Sequence, residues 1–398
     1  MRILLVSYYP LPYAGGLWAV VANLRKKLNE MGHTVDIFGQ RPDLSGYRII
    51  DRDRGITLEQ QRPAIHKRIL ATYPECTSHP LVLQAETYRL NFELTLQEYG
   101  LGGYDIIHAQ DVTAARTIGE MINVIPPLVT SAHGCLTKEI YYVLKSLHPN
   151  WTDQTVYNSF EYYYYKYNER HGYTSSRLIH TQSIWMKGEI LKNFSIHPQK
   201  VISFPLGIEN TQHGKPIQKG AHEKVILFSG RLIHLKGVTV LIEALKLLKK
   251  ERKDWVCWIA GGGDMEAALK KMTAAYGLQN SVKFLGVQTS MEPILAMADF
   301  LVLPSLQDTQ PLSVVEAQFA GLPVIVSNAA GLPEMVRQGY NGFIVPAGNS
   351  RALSLKMKEL LERDPLRVVM GQQSQVWAKE HWSLDGMAAK TLEFYSRA

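Results

Sequence analysis

The chain has 398 residues, 46% of them hydrophobic and 20% charged, with 30 Gly and 19 Pro. At roughly 150 residues per domain this is the make-up of a two-domain globular protein, and it excludes a collagen, a coiled coil or a disordered polymer. The 43 Lys+Arg against 36 Asp+Glu leave a net charge of +7, which suits an anionic partner without choosing among nucleic acid, a phosphorylated small molecule and an anionic membrane.

The first elements form a βαβ unit. A strand-like run at 3–8 is followed by a turn-forming stretch at 10–16, then by apolar residues at Leu17, Val20, Val21, Leu24, Leu28 and Met31. That spacing predicts a helix, with Gly32 placed as its C-terminal cap. Residues 35–38 predict the next strand, and such a unit implies a parallel sheet covered on both faces. Further strands are expected at 105–108, 128–132, 178–181 and 201–204, while 55–100 and 136–175, long, polar and aromatic, read as helical insertions. Residues 205–222 carry Gly, Pro and polar residues without periodicity and read as a linker. A second alternation then begins, with strands expected at 225–229, 256–260, 282–285, 300–304, 324–327 and 343–345. The reading is α/β, two Rossmann-like doubly wound domains, with ligand expected in a cleft between them at the carboxyl ends of the strands.

Several classes are excluded by what is missing. No apolar stretch reaches the roughly 18 residues of a membrane span, and Arg2 to Ser7 shows no signal-peptide pattern, so a soluble, cytoplasmic protein is expected. No basic run interleaved with aromatics marks a nucleic-acid groove. The cysteines, Cys76, Cys135 and Cys257, have no C-x-x-C spacing, and His, Cys and carboxylates do not cluster as metal ligands. The Gly261-Gly262-Gly263 run has Glu266 where a dinucleotide fingerprint needs its third glycine, so it reads as a tight strand-to-helix turn. The charge run 249–253 reads as a solvated helix end, and the tyrosines of 157–173 as a core-facing helix.

Three features carry chemistry. Arg231 and Lys236 stand five residues apart on a loop between a strand and a helix, where a planar cation and a point cation can grip the two phosphates of a diphosphate. Asp308 and Glu316 stand eight residues apart around a helix start expected near Leu312. Free N–H groups at that start can bind anionic oxygen, with Glu316 one turn in as an acceptor for hydroxyls; the plainer alternative is that Asp308 and Ser313 cap the helix and Glu316 is solvated. Gly15 and Gly16 follow the opening strand and permit close backbone approach, and His133 ends another strand of the same half.

Read together, these residues resemble a retaining glycosyltransferase of the GT-B fold, in glycosyltransferase family 4 with the glycogen-synthase-like and sucrose-synthase-like enzymes. The likeness spans essentially the whole chain. It rests on the Gly15-Gly16 loop, the S-G-R-L-x-x-x-K-G run from Ser229 to Gly237, Phe284-Leu285-Gly286, the block 304–327, which resembles P-S-x-x-E…E-A-x-A-x-G-x-P-V, and Glu380-His381-Trp382-Ser383 with the helix after it. The resemblance implies an acceptor-binding domain at 1–206, a nucleotide-sugar-binding domain at 207–380, and a final segment, 381–398, returning to the first. It implies that Arg231 and Lys236 hold the donor diphosphate and that Glu316 accepts hydrogen bonds from the ribose. The Leu285 backbone would meet the base, Gly15, Gly16, Leu312 and Ser313 would meet phosphate or sugar, and His133 would lie beside the transferred sugar. The implied partners are a nucleotide-diphosphate sugar, UDP as first choice, and a hydroxyl acceptor such as a polysaccharide, lipid or small metabolite; no metal or other cofactor is required, and a peripheral membrane contact is compatible. Two positions depart from the family pattern. Asp308 replaces the first Glu of E-x7-E, and Pro311, with no N–H, stands where Gly is frequent. Both fall near the expected sugar position and leave Arg231 and Lys236 in place. The rival readings are a nucleotide-sugar 2-epimerase, against which the Asp308–Glu316 signature argues, and a non-catalytic sugar-binding coat protein on the same fold.

Overall fold

The computed structural model describes residues 1–13, 15–52, 57–121, 126–209 and 224–398. Ala14 in the first turn and residues 210–222 of the expected linker lie outside them. In chain order the first elements are β1 (Arg2–Pro10), α1 (Gly16–Glu30), β2 (Thr34–Gln40), β3 (Tyr47–Ile49), α2 (Leu58–Thr72), α3 (Pro80–Tyr99), β4 (Ile106–Ala109) and α4 (Val112–Glu120). They continue as β5 (Leu128–Ala132), α5 (Leu136–Leu147), α6 (Asp153–Tyr157), α7 (Phe160–Ser175), β6 (Leu178–Thr181), α8 (Ile184–Phe194) and β7 (Val201–Ser203). The later part brings β8 (Lys224–Ser229), α9 (Val238–Lys249), β9 (Trp255–Ala260), α10 (Glu266–Ala275), β10 (Val282–Gly286), α11 (Glu292–Met297), β11 (Phe300–Leu303) and α12 (Leu312–Phe319). It ends with β12 (Val324–Ser327), β13 (Gly342–Val345), α13 (Ser350–Glu362), α14 (Asp364–His381) and α15 (Leu384–Ser396). Two compact units result: residues 1–182, 186–204 and 384–398 form unit 1, and 183–185 with 205–383 form unit 2.

In unit 1 the strand order is β3-β2-β1-β4-β5-β6-β7. The pairs are parallel except β2 with β3, an antiparallel edge that pairs Phe38 with Ile49 and Gln40 with Tyr47. A parallel sheet must be covered on both faces, and β1 and β4 are accordingly buried along runs such as Ile3-Leu4-Leu5-Val6 and Ile106-Ile107. The α1 helix turns Val20, Val21, Leu24 and Leu28 inward, and it ends as its spacing predicts: Gly32 takes φ +84° just beyond Met31, the left-handed conformation that closes a helix cheaply only with glycine. In α7, Tyr164 and Tyr173 are buried and donate their hydroxyls to Glu86 and Glu169, at 2.7 and 3.0 Å, whereas Tyr163 of α7 and Tyr157 at the end of α6 remain exposed. The core-facing expectation therefore holds for part of that tyrosine run.

The α15 helix belongs to unit 1, and a directed hydrogen-bond chain ties it there. The Phe204 carbonyl can only accept, so His180 Nε2 donates to it at 2.8 Å. His180 Nδ1 then accepts from Ser131 Oγ, Ser131 Oγ from His108 Nε2, and His108 Nδ1 from the Tyr395 hydroxyl, each at 2.8 Å. Every member is buried. Burial pushes His180 down to about 3 and His108 well below the usual imidazole range, which keeps both rings neutral and the direction of the chain intact. Phe394 fills the space beside it, edge-on to the Phe204 ring with centroids 6.0 Å apart.

In unit 2 the order is β10-β9-β8-β11-β12-β13, with every pair parallel. Ile226, Leu227, Leu301, Val302 and Ile325 are fully buried in it, each such aliphatic side chain contributing about 1.5–3 kcal/mol relative to exposure. In both sheets the direction of winding reverses once, between β1 and β4 and between β8 and β11. Such a reversal parts the two loops at the carboxyl ends of the strands and opens a crevice there. In unit 2 those loops are 230–237 and 304–311, which carry Arg231, Lys236 and Asp308. No helix among the described residues is long and apolar enough to cross a membrane.

Candidate active site

The loop after β8 is held from two sides by backbone. On one side it lies against the glycine run after β9: Gly230 N donates to Ala260 O at 3.0 Å, Leu232 N to Gly262 O at 2.8 Å, and Met265 N returns to Leu232 O at 3.1 Å. Gly261 has φ +134°, and a Cβ there would fall 2.0 Å from the Gly230 carbonyl oxygen. The glycine run is a tight turn, as its sequence suggests, and its further duty is to let the Arg231 loop approach. On the other side Leu306 N donates to Leu235 O at 2.7 Å, and Gly237, at φ +65°, leaves no room for a Cβ against the Pro304 carbonyl. The loop so fixed presents Arg231 to solvent and leaves Lys236 half-buried.

Lys236 Nζ lies 2.5 Å from Asp308 Oδ2. The same carboxylate oxygen accepts Ser305 Oγ at 3.1 Å, and the Asp308 carbonyl accepts Gly331 N at 2.9 Å. Asp308 is therefore not a helix cap; it is the counter-ion of the loop lysine. The departure from the family pattern at Asp308, which by sequence concerns only the sugar position, reaches Lys236 as well. Ser305, fully buried behind Asp308, is marked in the sequence only as the serine of the P-S-x-x-E resemblance, which does not report that it bonds the Asp308 carboxylate.

The α12 helix starts at Leu312, where the sequence places it, and no side chain caps it, Ser313 included. Pro311 precedes it without an N–H, so the Leu312 and Ser313 N–H groups lead out of the first turn, where the helix dipole favours an anion. One turn on, Glu316 is half-buried rather than solvated. Burial alone pushes its carboxyl up to about 7, with no charge or hydrogen bond offsetting it. Leu285 lies in the edge strand β10, its carbonyl taken by Gln288 Nε2 at 2.5 Å.

In unit 1, Gly15 is the residue before α1, with extended backbone and no side-chain cap. A Cβ there would sit 3.8 Å from Tyr13, an ordinary contact, so the packing around Gly15 does not itself demand glycine. His133 follows β5, and burial pushes its imidazole down to about 4. Its Nε2 lies 3.2 Å from Gln110 Oε1, and its carbonyl accepts Gln182 Nε2 at 2.8 Å. Since an amide oxygen only accepts, Nε2 of the neutral ring carries the proton. Gln110 is a residue that motif reading misses; its place directly after β4, at the winding reversal, is the signal that could have found it. The structure thus gathers Arg231, Lys236, Asp308, Leu312, Ser313 and Glu316 on the two loops and one helix start at the crevice of unit 2, with Leu285 on its edge strand, and places Gly15, Gly16 and His133 at the carboxyl ends of unit 1 strands.

The glycosyltransferase family 4 model matches residues 14–212, and the model for glycosyl transferases group 1 matches residues 210–377. This chain belongs to the group 1 GT-B glycosyltransferases. The glycosyltransferase is 28% identical to an uncharacterized glycosyltransferase of Methanocaldococcus jannaschii across 100% of this chain and 98% of that one. It is 24% identical, over 100% of this chain and 98% of the other, to the MMP alpha-(1->4)-mannosyltransferase of Mycolicibacterium hassiacum. Its fold is similar to that of the sucrose-phosphate synthase of Thermosynechococcus elongatus, with a TM-score of 0.74 at 17% identity over 100% and 98% of the two chains. It is similar too to Anabaena HepE, solved with UDP and glucose, with a TM-score of 0.68 at 19% identity over 100% and 99%. These likenesses establish the glycosyltransferase as GT-B, each unit a Rossmann-like parallel sheet.

Proposed function

We propose that this glycosyltransferase moves a sugar from a nucleoside-diphosphate sugar, with UDP as the first donor base to try, to a hydroxyl acceptor with retention at the anomeric carbon. The observation that carries the reading is the pinning of the Arg231–Lys236 loop beside the loop that leads into the uncapped α12. Breaking the anomeric C–O bond leaves negative charge on the β-phosphate, and preorganised donors aimed at developing charge are the largest catalytic contribution a site can make. Arg231, Lys236 and the Leu312 and Ser313 N–H groups supply such donors from the chain itself, so the reading requires no metal. In the retaining course the acceptor oxygen approaches from the face the phosphate leaves. The acceptor oxygen forms the new bond to the anomeric carbon as the old C–O bond breaks, and the departing phosphate takes its proton. HepE's complex with UDP and glucose supports UDP as the starting point.

The test is incubation of the purified chain with UDP-, GDP- and ADP-sugars and a panel of acceptors. Released nucleotide with an α-linked product is the expected result; an epimerised donor, or binding without turnover, overturns the reading. Glu316 supplies a second check. A carboxylate that accepts from ribose hydroxyls binds best when ionised, so with a group titrating near 7 nucleoside affinity should rise with pH. The ionised fraction grows about tenfold between pH 6 and pH 8, and affinity measured by calorimetry should follow it, whereas Glu316→Gln should be weaker and flat. A wild-type profile already flat would sink the role of Glu316.

A further inference from the structure

The Lys236–Asp308 pair has an energetic peculiarity. With side chains only 16% and 13% exposed, the two charges are largely withdrawn from water, and each depends on the other for compensation. The carboxylate does not swing freely: Ser305 Oγ holds the oxygen that meets Lys236, the Gly331 N–H holds the Asp308 carbonyl, and the Leu306 to Leu235 backbone bond ties the two loops at the same place. An anion arriving at this loop therefore meets Arg231 as a solvent-facing cation and, beside it, a lysine whose charge is already cancelled. Lysine has three N–H donors, so it can serve a phosphate and Asp308 together, but the phosphate must then accept a carboxylate nearby.

We propose that Asp308 is a positioning residue that sets diphosphate affinity by competing with it for Lys236. It aims the lysine and lowers the affinity of the site for nucleoside diphosphate, the form in which the nucleotide leaves after transfer. The proposal rests on the donor-site reading above and goes beyond it: Asp308 acts through Lys236, where the family resemblance gives this position a sugar contact. Its signature is one of sign. Asp308→Asn keeps the shape and removes the competing charge, so it strengthens nucleoside-diphosphate binding, by roughly tenfold for a charge at this distance and depth. A side chain that merely braced the loop would weaken binding when changed.

The experiment is calorimetric titration of the full chain with UDP, GDP and ADP, in the wild type, Asp308→Asn, Asp308→Glu, Lys236→Ala and the Asp308→Asn/Lys236→Ala double variant. The expected result is tighter binding in Asp308→Asn, no such gain when Lys236 is absent, and affinity near wild type in Asp308→Glu. Thermal melts should show Asp308→Asn less stable than wild type alone but gaining more from saturating nucleotide, as linkage requires of a tighter ligand. Ser305→Ala guards against a variant that fails to fold: it removes a hydrogen bond that shares the Asp308 charge, so the lysine is held harder and nucleotide binding weakens about threefold. Unchanged or weaker binding in a folded Asp308→Asn, a gain that survives without Lys236, or tighter binding in Ser305→Ala overturns the proposal while leaving the donor site standing. Absence of wild-type binding to all three nucleotides removes the donor-site reading itself, and the proposal with it.

Discussion

Arg231→Ala and Lys236→Ala are each expected to lower turnover on the order of 100-fold or more, the usual scale for removing a preorganised donor to a developing anion. The expectation follows from rigidity as much as from charge. Arg231 stands on a backbone whose neighbours Gly230 and Leu232 are both bonded to the β9 turn, so its guanidinium starts from a fixed base, and its planar fork cannot be replaced by a point charge. Lys236 is fixed at its own end by Asp308. Removing Lys236 also strands the carboxylate, so the rate should be measured on protein whose folded fraction has been checked by melting. Nucleotide released per enzyme at saturating donor is the readout, and near-normal turnover in either variant would falsify the assignment of these cations.

Gly261→Ala, like Gly237→Ala, should be among the most damaging small substitutions in unit 2. The Gly261 φ of +134° disfavours a side chain, and the new methyl would stand 2.0 Å from the Gly230 oxygen, so backbone strain and steric overlap add to roughly 2–6 kcal/mol. Gly277→Ala makes the comparison clean. Gly277 also has a positive φ, +66°, but nothing lies within 4 Å of the added atom, so only the left-handed backbone cost of about 1–2 kcal/mol is expected there. Urea unfolding of the two variants measures the difference. Equal losses would mean that the approach of the Arg231 loop is not what Gly261 serves, and Gly261→Ala should in addition lose nucleotide binding in whatever fraction stays folded.

The strands were the legible part of the sequence. Apolar runs at 128–132, 178–181 and 324–327 coincide with strands in the structure, and the others differ by a residue or two at their ends, because burial on both faces of a parallel sheet writes a continuous apolar run. The edge strand Tyr47–Ile49 was not legible: three residues carry no periodicity, and its antiparallel pairing is settled by Phe38 and Gln40 across the gap. In the site, the loops bearing Arg231, Lys236 and Asp308 could be read from strand–loop–helix order, and the start of α12 from the residues around Leu312. The pairing of Lys236 with Asp308 could not, since 72 residues separate them and only the placement of β11 beside β8 brings their loops together. The same holds for Gly261, whose local pattern reports a turn while its packing partner, Gly230, opens the loop after another strand. His108, Ser131 and His180 are unremarked letters in three separate strands until parallel pairing lines them up.

The last helix has a consequence for synthesis. When a ribosome has released residues up to Ser383, unit 2 has every residue it contains, whereas unit 1 still waits for α15: His108 lacks its phenol donor, and the Phe204 ring its neighbour Phe394. Domains generally finish in the order in which they emerge. Here the later unit can close first, and the earlier one, begun at Arg2, completes its buried hydrogen-bond chain only after translation has passed Tyr395.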